Sequence, residues 1–143
     1  MFVFVMAGCG AFAAGDGHMG MGMSDHAGMA AAHAIPEEAA AVPNPIAVSD
    51  ASVAAGQAIY TQNCAVCHGP EGEGDGTAAA GLNPKPADLH AAHVQELSDG
   101  ALFYTITHGR EGTAMVAWET ILSEEQRWEL VNFLRTFGAE ADH

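Results

Sequence analysis

Apolar residues recur at helical spacing in three stretches of this chain, and all three lie after residue 48. The first stretch begins at Ser49 or Asp50, either of which can cap a helix. Its apolar face is formed by positions three or four residues apart, with Ile59 beside them, namely Val53, Gly56, Tyr60 and Cys64. Glycine costs a helix about 1 kcal/mol relative to alanine, so Gly56 indicates that another helix crosses closely at that point.

The other two stretches carry clearer start and stop signals. Ser98 can cap a helix that runs to His108, and Gly109 should end it. Ser123 and Gln126 form a capping box that starts a third helix, which Gly138 should end. This last helix has the broadest apolar face, made of Trp128, Leu130, Val131, Phe133, Leu134 and Phe137. The pattern therefore predicts three main helices.

The segment before the first helix shows no sustained apolar period. Residues 10 to 48 consist mostly of Gly, Ala, Met, His and Pro, and Pro43 and Pro45 favour an extended form at its end. We therefore predict a flexible tether over residues 10 to 48, a folded domain over residues 49 to 138, and a short C-terminal tail over residues 139 to 143.

The first nine residues resemble the end of a bacterial lipoprotein signal peptide. In Met6-Ala7-Gly8-Cys9, small residues precede a cysteine, as in a lipobox whose cysteine is acylated. The usual leucine is Met6 here, and no positive charge precedes the apolar run. The run is also shorter than the roughly 20 apolar residues that span a bilayer. We predict an exported chain with a lipid anchor at Cys9; the alternative is a chance match in a soluble exported protein.

The motif C-x-x-C-H, the attachment signature of haem c, occurs at Cys64, Cys67 and His68. Two thiols on one turn can form thioethers with one porphyrin, and the following imidazole can bind its iron. A thioredoxin-like redox pair would need a βαβ pattern, which is not visible, and a zinc ribbon would need a second cysteine pair after Cys67. Haem attachment is therefore the favoured interpretation.

Iron in haem c has a second axial position, for which the sequence offers few ligands. Met115 is the only methionine after residue 29, and it lies between small residues in the loop before the third helix. A methionine in a loop can also be core filler. The rival ligands are three histidines, His90, His93 and His108.

Charge and composition restrict the classes of partner that this chain can bind. The net charge is −14, and the only basic residues are Lys85, Arg110, Arg127 and Arg135, which excludes nucleic-acid binding. Such acidity serves either solubility or a partner with a basic docking face.

Soft ligands that suit copper, especially Cu(I), are crowded into sixteen residues of the predicted tether: His18, Met19, Met21, Met23, His26, Met29 and His33. They form either a copper site or a low-complexity linker.

Taken together, these features resemble a class I cytochrome c over residues 49 to 138. The resemblance rests on the order of a capped helix with Gly56 and Tyr60, the haem motif, a glycine-rich loop, a middle helix, a methionine loop and a capped last helix. It implies an all-α fold of about three main helices and loops around one covalent haem c. It also implies that Gly56 and Tyr60 cross Leu130 and Phe133.

The same resemblance assigns roles to the site residues. Cys64 and Cys67 become the thioether positions, His68 the proximal ligand and Met115 the distal ligand, with Trp118 as the aromatic haem contact that follows. Many family members have proline directly after the ligand, where this chain has Val116. A loop proline usually supplies the carbonyl that orients the proximal imidazole. Pro84 is the predicted source, with Pro86 as the second choice.

The resemblance implies an electron carrier rather than an enzyme, because a six-coordinate iron has no open position for substrate. We expect a membrane-tethered monohaem carrier outside the cytoplasm that moves electrons from a quinol-oxidising complex to a terminal oxidase or reductase. One alternative is a fixed oxidoreductase subunit, similar to the lipid-anchored cytochromes of alternative complex III. Another is copper handling by the Met/His-rich segment.

Overall fold

The structure is a computed structural model that describes residues 34–140. Its helices are α1 (Glu37–Ala40), α2 (Asp50–Asn63), α3 (Ala65–His68), α4 (Ala92–Gln95), α5 (Asp99–His108) and α6 (Glu124–Glu140), with a 3-10 turn at Ala79–Gly81. No strand occurs in this range. The all-α prediction is confirmed, and α2, α5 and α6 are the three main helices.

The three main helices begin where the sequence predicted. The Ser49 hydroxyl accepts from the Ser52 amide at 3.1 Å, and the Ser52 hydroxyl accepts from the Ser49 amide at 3.0 Å. Ser123 and Gln126 make the same reciprocal pair at the start of α6. The Ser98 hydroxyl accepts from the Ala101 amide at 3.1 Å and caps α5. Each start is local chemistry, because the capping group lies within three residues of the amide it satisfies.

Helices α2 and α6 cross at Gly56, as predicted. A Cβ atom on Gly56 would lie 2.8 Å from the Phe133 Cβ and closer still to the Glu129 carbonyl oxygen. The absent side chain therefore lets the two backbones approach. Beside the crossing, the Tyr60 and Phe133 rings pack with their centroids 5.2 Å apart. The predicted partner Phe133 is confirmed, and Leu130 lies in the same buried core.

The predicted stop at Gly138 is wrong, because α6 continues through this residue to Glu140. A Cβ atom on Gly138 would lie 2.5 Å from the Gln95 Oε1 atom. The Gln95 amide in turn donates to the Leu89 carbonyl at 2.7 Å and to the Leu134 carbonyl at 3.1 Å. This glycine makes room for a side chain from α4 instead of ending the helix.

The predicted tether also ends earlier than residue 48. Helix α1 packs against α5, where a Cβ atom on Gly100 would lie 2.7 Å from the Val42 carbonyl oxygen. The Ser98 hydroxyl donates to the Ala40 carbonyl at 2.6 Å. The Asn44 amide donates to the Asn132 Oδ1 atom at 2.8 Å. Residues 36 to 48, which we call the N-terminal arm, therefore belong to the packed domain.

The core lies between the main helices and the loops that follow the haem motif. Its buried members are Ile59, Tyr60, Leu89, Val94, Leu102, Ile106, Leu122, Trp128, Leu130, Val131, Phe133, Leu134 and Phe137. Met115, Trp118 and Cys64 are half-buried and pack against this cluster. No helix within residues 34–140 is long and apolar enough to cross a bilayer.

Candidate functional site

The two cysteines and the histidine of the motif occupy a single turn at the junction of α2 and α3. The Cys67 amide donates to the Cys64 carbonyl at 3.1 Å, and the His68 amide donates to the same carbonyl at 2.9 Å. All three side chains are half-buried, and both thiols are free. The tight turn keeps the two sulfur atoms and the imidazole in one neighbourhood, as attachment of a single porphyrin requires.

The electrostatics of Cys64 disfavour the other interpretations of this cysteine pair. Burial, with a smaller contribution from Cys67, raises the pKa of the Cys64 thiol to about 12. Redox-active pairs and metal-binding cysteines need a thiolate and usually have a lowered pKa. Within the described range there is also no group of three or more His, Cys, Asp or Glu side chains that could hold a metal ion.

His68 is oriented as an iron ligand needs to be. Its Nδ1 atom lies 3.1 Å from the Ala87 carbonyl oxygen. Because a carbonyl only accepts, Nδ1 carries the proton and Nε2 keeps its lone pair for a metal. Burial lowers the pKa of His68, and the bond to Ala87 opposes that shift without cancelling it. The imidazole is therefore held in the neutral form that binds iron.

The acceptor for His68 corrects the sequence prediction. The carbonyl belongs to Ala87, not to Pro84 or Pro86. Pro84 is exposed, and the Pro86 carbonyl oxygen lies against Gly74, only 2.6 Å from where a Cβ atom there would be. Every residue carries a carbonyl, so composition cannot select one of them. The choice depends on how this loop folds against the glycine-rich loop.

The glycine-rich loop after the motif folds back onto it. The Gly74 amide donates to the His68 carbonyl at 2.8 Å, and the Gly76 amide donates to the Cys67 carbonyl at 3.1 Å. A Cβ atom on Gly76 would lie 2.6 Å from that Cys67 carbonyl oxygen. The loop is visible in the sequence but this role is not, although the dense glycine spacing could have suggested it.

Tyr60 closes the other side of the same turn. Its hydroxyl, in a side chain that is 1% exposed, donates to the Gly69 carbonyl at 2.7 Å. Burial raises the pKa of Tyr60 well above its ordinary value of 10.0, and nearby Cys64, Asp75 and Glu71 add to the shift. The hydroxyl therefore stays protonated and keeps its bond to the residue that follows His68.

We expect Tyr60→Phe to lower the free energy of unfolding at neutral pH by about 1 kcal/mol, because the Gly69 carbonyl loses a buried donor. The pH dependence should also change. Since the folded pKa lies above the unfolded value of 10.0, the unfolded state ionises first, and wild-type stability should fall as the pH rises past about 10. Denaturant titrations at about pH 8 and pH 11 should show that the free energy of unfolding falls less between these pH values in Tyr60→Phe than in the wild type. A fall in Tyr60→Phe as large as that of the wild type would contradict the prediction.

Met115 lies in the segment that connects α5 to α6, which we call the methionine loop (residues 109 to 122). The Arg110 amide donates to the Met115 carbonyl at 3.1 Å, and the Met115 amide donates to the Thr113 hydroxyl oxygen at 3.1 Å. The Trp118 amide donates to the Ile106 carbonyl at 3.1 Å, which ties the loop to the end of α5. Met115 and Trp118 thus face the hydrophobic core at a defined position.

The rival histidines are less suited to be ligands. His90 has its Nδ1 atom 3.0 Å from the Phe137 carbonyl oxygen and its Nε2 atom 2.6 Å from the Glu71 carbonyl oxygen. Both of its nitrogens therefore already have backbone partners. His93 and His108 are exposed, and the His108 ring packs on Tyr104. This arrangement supports Met115 as the second axial ligand.

The donor set as a whole fits haem c. Two free thiols share one turn, a neutral imidazole offers Nε2, and a half-buried thioether packs on the apolar core. His/Met ligation of this kind raises the reduction potential of haem iron. The predicted acylation site Cys9 and the seven predicted copper ligands lie outside the described residues, and both remain predictions.

Comparisons with known proteins identify the family of this chain. The family described as cytochrome c oxidase, cbb3-type, subunit III matches residues 51–134. Cytochrome c55X of Stutzerimonas stutzeri is 34% identical in an alignment of 97 residues that covers 63% of this chain and 75% of that protein. A chain of the reducing HAO-like protein complex of Kuenenia stuttgartiensis has a TM-score of 0.60 and 27% identity; the match covers 68% of this chain and 48% of that one, about half its length. The chain therefore belongs to the cbb3-type cytochrome c family, whose domains bind haem c and transfer electrons.

Proposed function

We propose that this chain is a monohaem cytochrome that carries electrons within a respiratory chain outside the cytoplasm. The observation that supports it most is the orientation of His68, whose Nδ1–H donates to Ala87 and leaves Nε2 for iron. Cys64 and Cys67 would attach the porphyrin, and Met115 would take the sixth position. Bound haem c supplies one-electron chemistry at its iron. The chain's own part is to fill both axial positions and to exclude water and substrates.

The charge distribution supports a partner with a basic docking face. Two of the four basic residues add little positive charge to the surface, because Arg127 is buried and Arg135 pairs with Asp99 at 2.7 Å. Lys85 and Arg110 remain exposed on a strongly acidic protein. Opposite charge on a partner would steer the encounter, and that steering weakens with salt.

Redox titration of the purified holoprotein tests the proposal. We expect one iron per chain, a single one-electron transition, and electron exchange with a basic redox protein that slows as the salt concentration rises. Two irons per chain would contradict the proposal of a single haem. Rapid turnover of hydrogen peroxide with Met115 in place would contradict the proposal that both axial positions of the iron are filled.

A fixed subunit of a larger complex is the second candidate. It is favoured because the matching family is described as an oxidase subunit and the similar solved structure is a protein complex. Size-exclusion chromatography of gently solubilised native membranes separates the candidates. A free carrier elutes alone, whereas a subunit elutes with its partners at high mass.

The proposed membrane attachment rests on Met6-Ala7-Gly8-Cys9. Each buried CH₂ of an acyl chain contributes about 0.8 kcal/mol, and two chains hold a protein stably. The wild type should therefore fractionate with membranes and resist high salt, and Cys9→Ser should release it with its haem spectrum unchanged. Recovery of the wild type in the soluble fraction would show that the motif is a chance match.

A further inference from the structure

Arg127 is a buried cation whose hydrogen-bond partners are neutral. It lies in the first turn of α6 and is 7% exposed. Its Nη1 atom donates to the Thr107 hydroxyl at 2.6 Å, and its Nε atom donates to the Ser123 carbonyl at 3.4 Å. The one ion pair in the described part of the chain is made by the other arginine of α6, Arg135 with Asp99. Burial of a charge without a counter-charge costs free energy. A structural role for Arg127 would offset that cost.

The two partners of Arg127 stand at the two ends of the methionine loop. Thr107 lies two residues before the loop begins, and Ser123 directly follows its last residue. The Glu119 amide also donates to the Thr107 carbonyl at 3.3 Å. A single guanidinium therefore joins the end of α5 to the start of α6 and closes the base of the loop.

The guanidinium is itself held in place by aromatic side chains. Its central carbon lies 4.9 Å from the centroid of the Phe103 ring. Phe103 stacks on Trp128 at 3.9 Å with an angle of 12° between the rings. Arginine offers a planar fork with several donors, whereas lysine is a point charge that cannot reproduce the fork. The geometry of the contact, and not charge alone, suits this position.

We propose that Arg127 is a positioning residue for Met115: it keeps the base of the methionine loop closed and so holds the thioether on the haem iron. The proposal rests on the proposed function, in which Met115 is the sixth ligand. The Met115 thioether can bind iron only while the methionine loop is closed. Its apparent affinity for iron therefore falls when the closed state of the loop is less populated. An external ligand such as imidazole then competes more successfully for the oxidised iron.

The test compares Arg127→Gln, Arg127→Lys and Arg135→Gln in the purified holoprotein. Arg135 is the matched control, because it lies on the same helix and donates to the Gln95 and Leu97 carbonyls and to Asp99, away from the methionine loop. For each protein we would measure imidazole binding to oxidised iron, the sulfur-to-iron charge-transfer band and the free energy of unfolding.

Arg127→Gln should bind imidazole about tenfold more tightly than the wild type, a change of about 1.4 kcal/mol. Its charge-transfer band should also disappear at a lower temperature. The imidazole affinity of Arg127→Lys should lie between those of the wild type and Arg127→Gln, since lysine keeps the charge but not the planar fork of donors. Arg135→Gln should lose unfolding free energy while its imidazole affinity stays within about twofold of the wild type.

Equal imidazole affinities in Arg127→Gln and Arg135→Gln would overturn the positioning role and leave electron transfer by the domain intact. A wild type without the sulfur-to-iron band would instead overturn Met115 ligation, and this proposal with it. If Arg127→Gln fails to fold, Thr107→Val removes the hydroxyl at the other end of the same bond. It should shift imidazole affinity in the same direction, and an unchanged affinity would again overturn the role of Arg127.

Discussion

A chain with both Cys64→Ala and Cys67→Ala should show little helix by circular dichroism, because without covalent haem the domain cannot complete its core. Side chains such as Met115 and Trp118 pack against the core cluster but stay only half-buried. The fraction of apolar surface that a domain buries on folding falls as the domain becomes smaller, so surface supplied by a bound cofactor adds to the core of a domain of this size. The porphyrin would supply the missing apolar surface between these loops and the main helices.

The control for this experiment is Val66→Ala. Val66 lies between the two cysteines and is 51% exposed, so its truncation should leave haem attachment and folding unchanged. Helicity near that of the wild type in the double variant would show that α2 and α6 pack stably by themselves. The contact between Gly56 and Phe133 would then suffice without the cofactor.

Met115→Ala should abolish the sulfur-to-iron charge-transfer band of the oxidised protein. The reduction potential should fall, within the range of about 0.8 V over which axial ligands tune haem proteins, because the thioether stabilises reduced iron. The vacated position should admit hydrogen peroxide and external ligands. Absorption spectra, redox titration and a peroxidase assay measure the three effects.

Val116→Ala is the matched control for the methionine variant. Val116 is the next residue along the loop and is 56% exposed, so its truncation should leave the band and the potential as in the wild type. A band that survives Met115→Ala would contradict Met115 as the sulfur ligand of the iron. An oxidised wild type that lacks the band would instead indicate a nitrogen ligand; His90 could take that place only by giving up its two backbone carbonyls.

The features that sequence analysis predicted correctly depend on neighbours in the chain. Ser49, Ser98 and Ser123 each cap a helix by bonding an amide three residues later, and this spacing is visible in the sequence. Gly56 was recognised as a helix crossing because glycine in the middle of an amphipathic helix is costly unless something approaches it closely.

The features it missed depend on contacts between distant segments. Gly138 looks like a helix stop until the Gln95 side chain is seen against it, 43 residues earlier in the chain. Likewise, Ala87 was selected over Pro84 as the partner of His68 by loop packing. A proline fixes its own backbone angle but does not determine which nearby carbonyl faces an imidazole. Arg127 gave no local signal at all, because Thr107 stands twenty residues away.

The N-terminal arm changes where this domain can be cut for expression. The family match begins at residue 51, and the first main helix is capped by Ser49. A fragment starting there would remove the Asn44 amide that satisfies Asn132, a side chain only 2% exposed. It would also uncover the small-residue surface of α5 at Gly100, against which the Val42 carbonyl lies. A fragment that keeps these contacts must include the N-terminal arm, and it therefore starts before the boundary that family similarity gives.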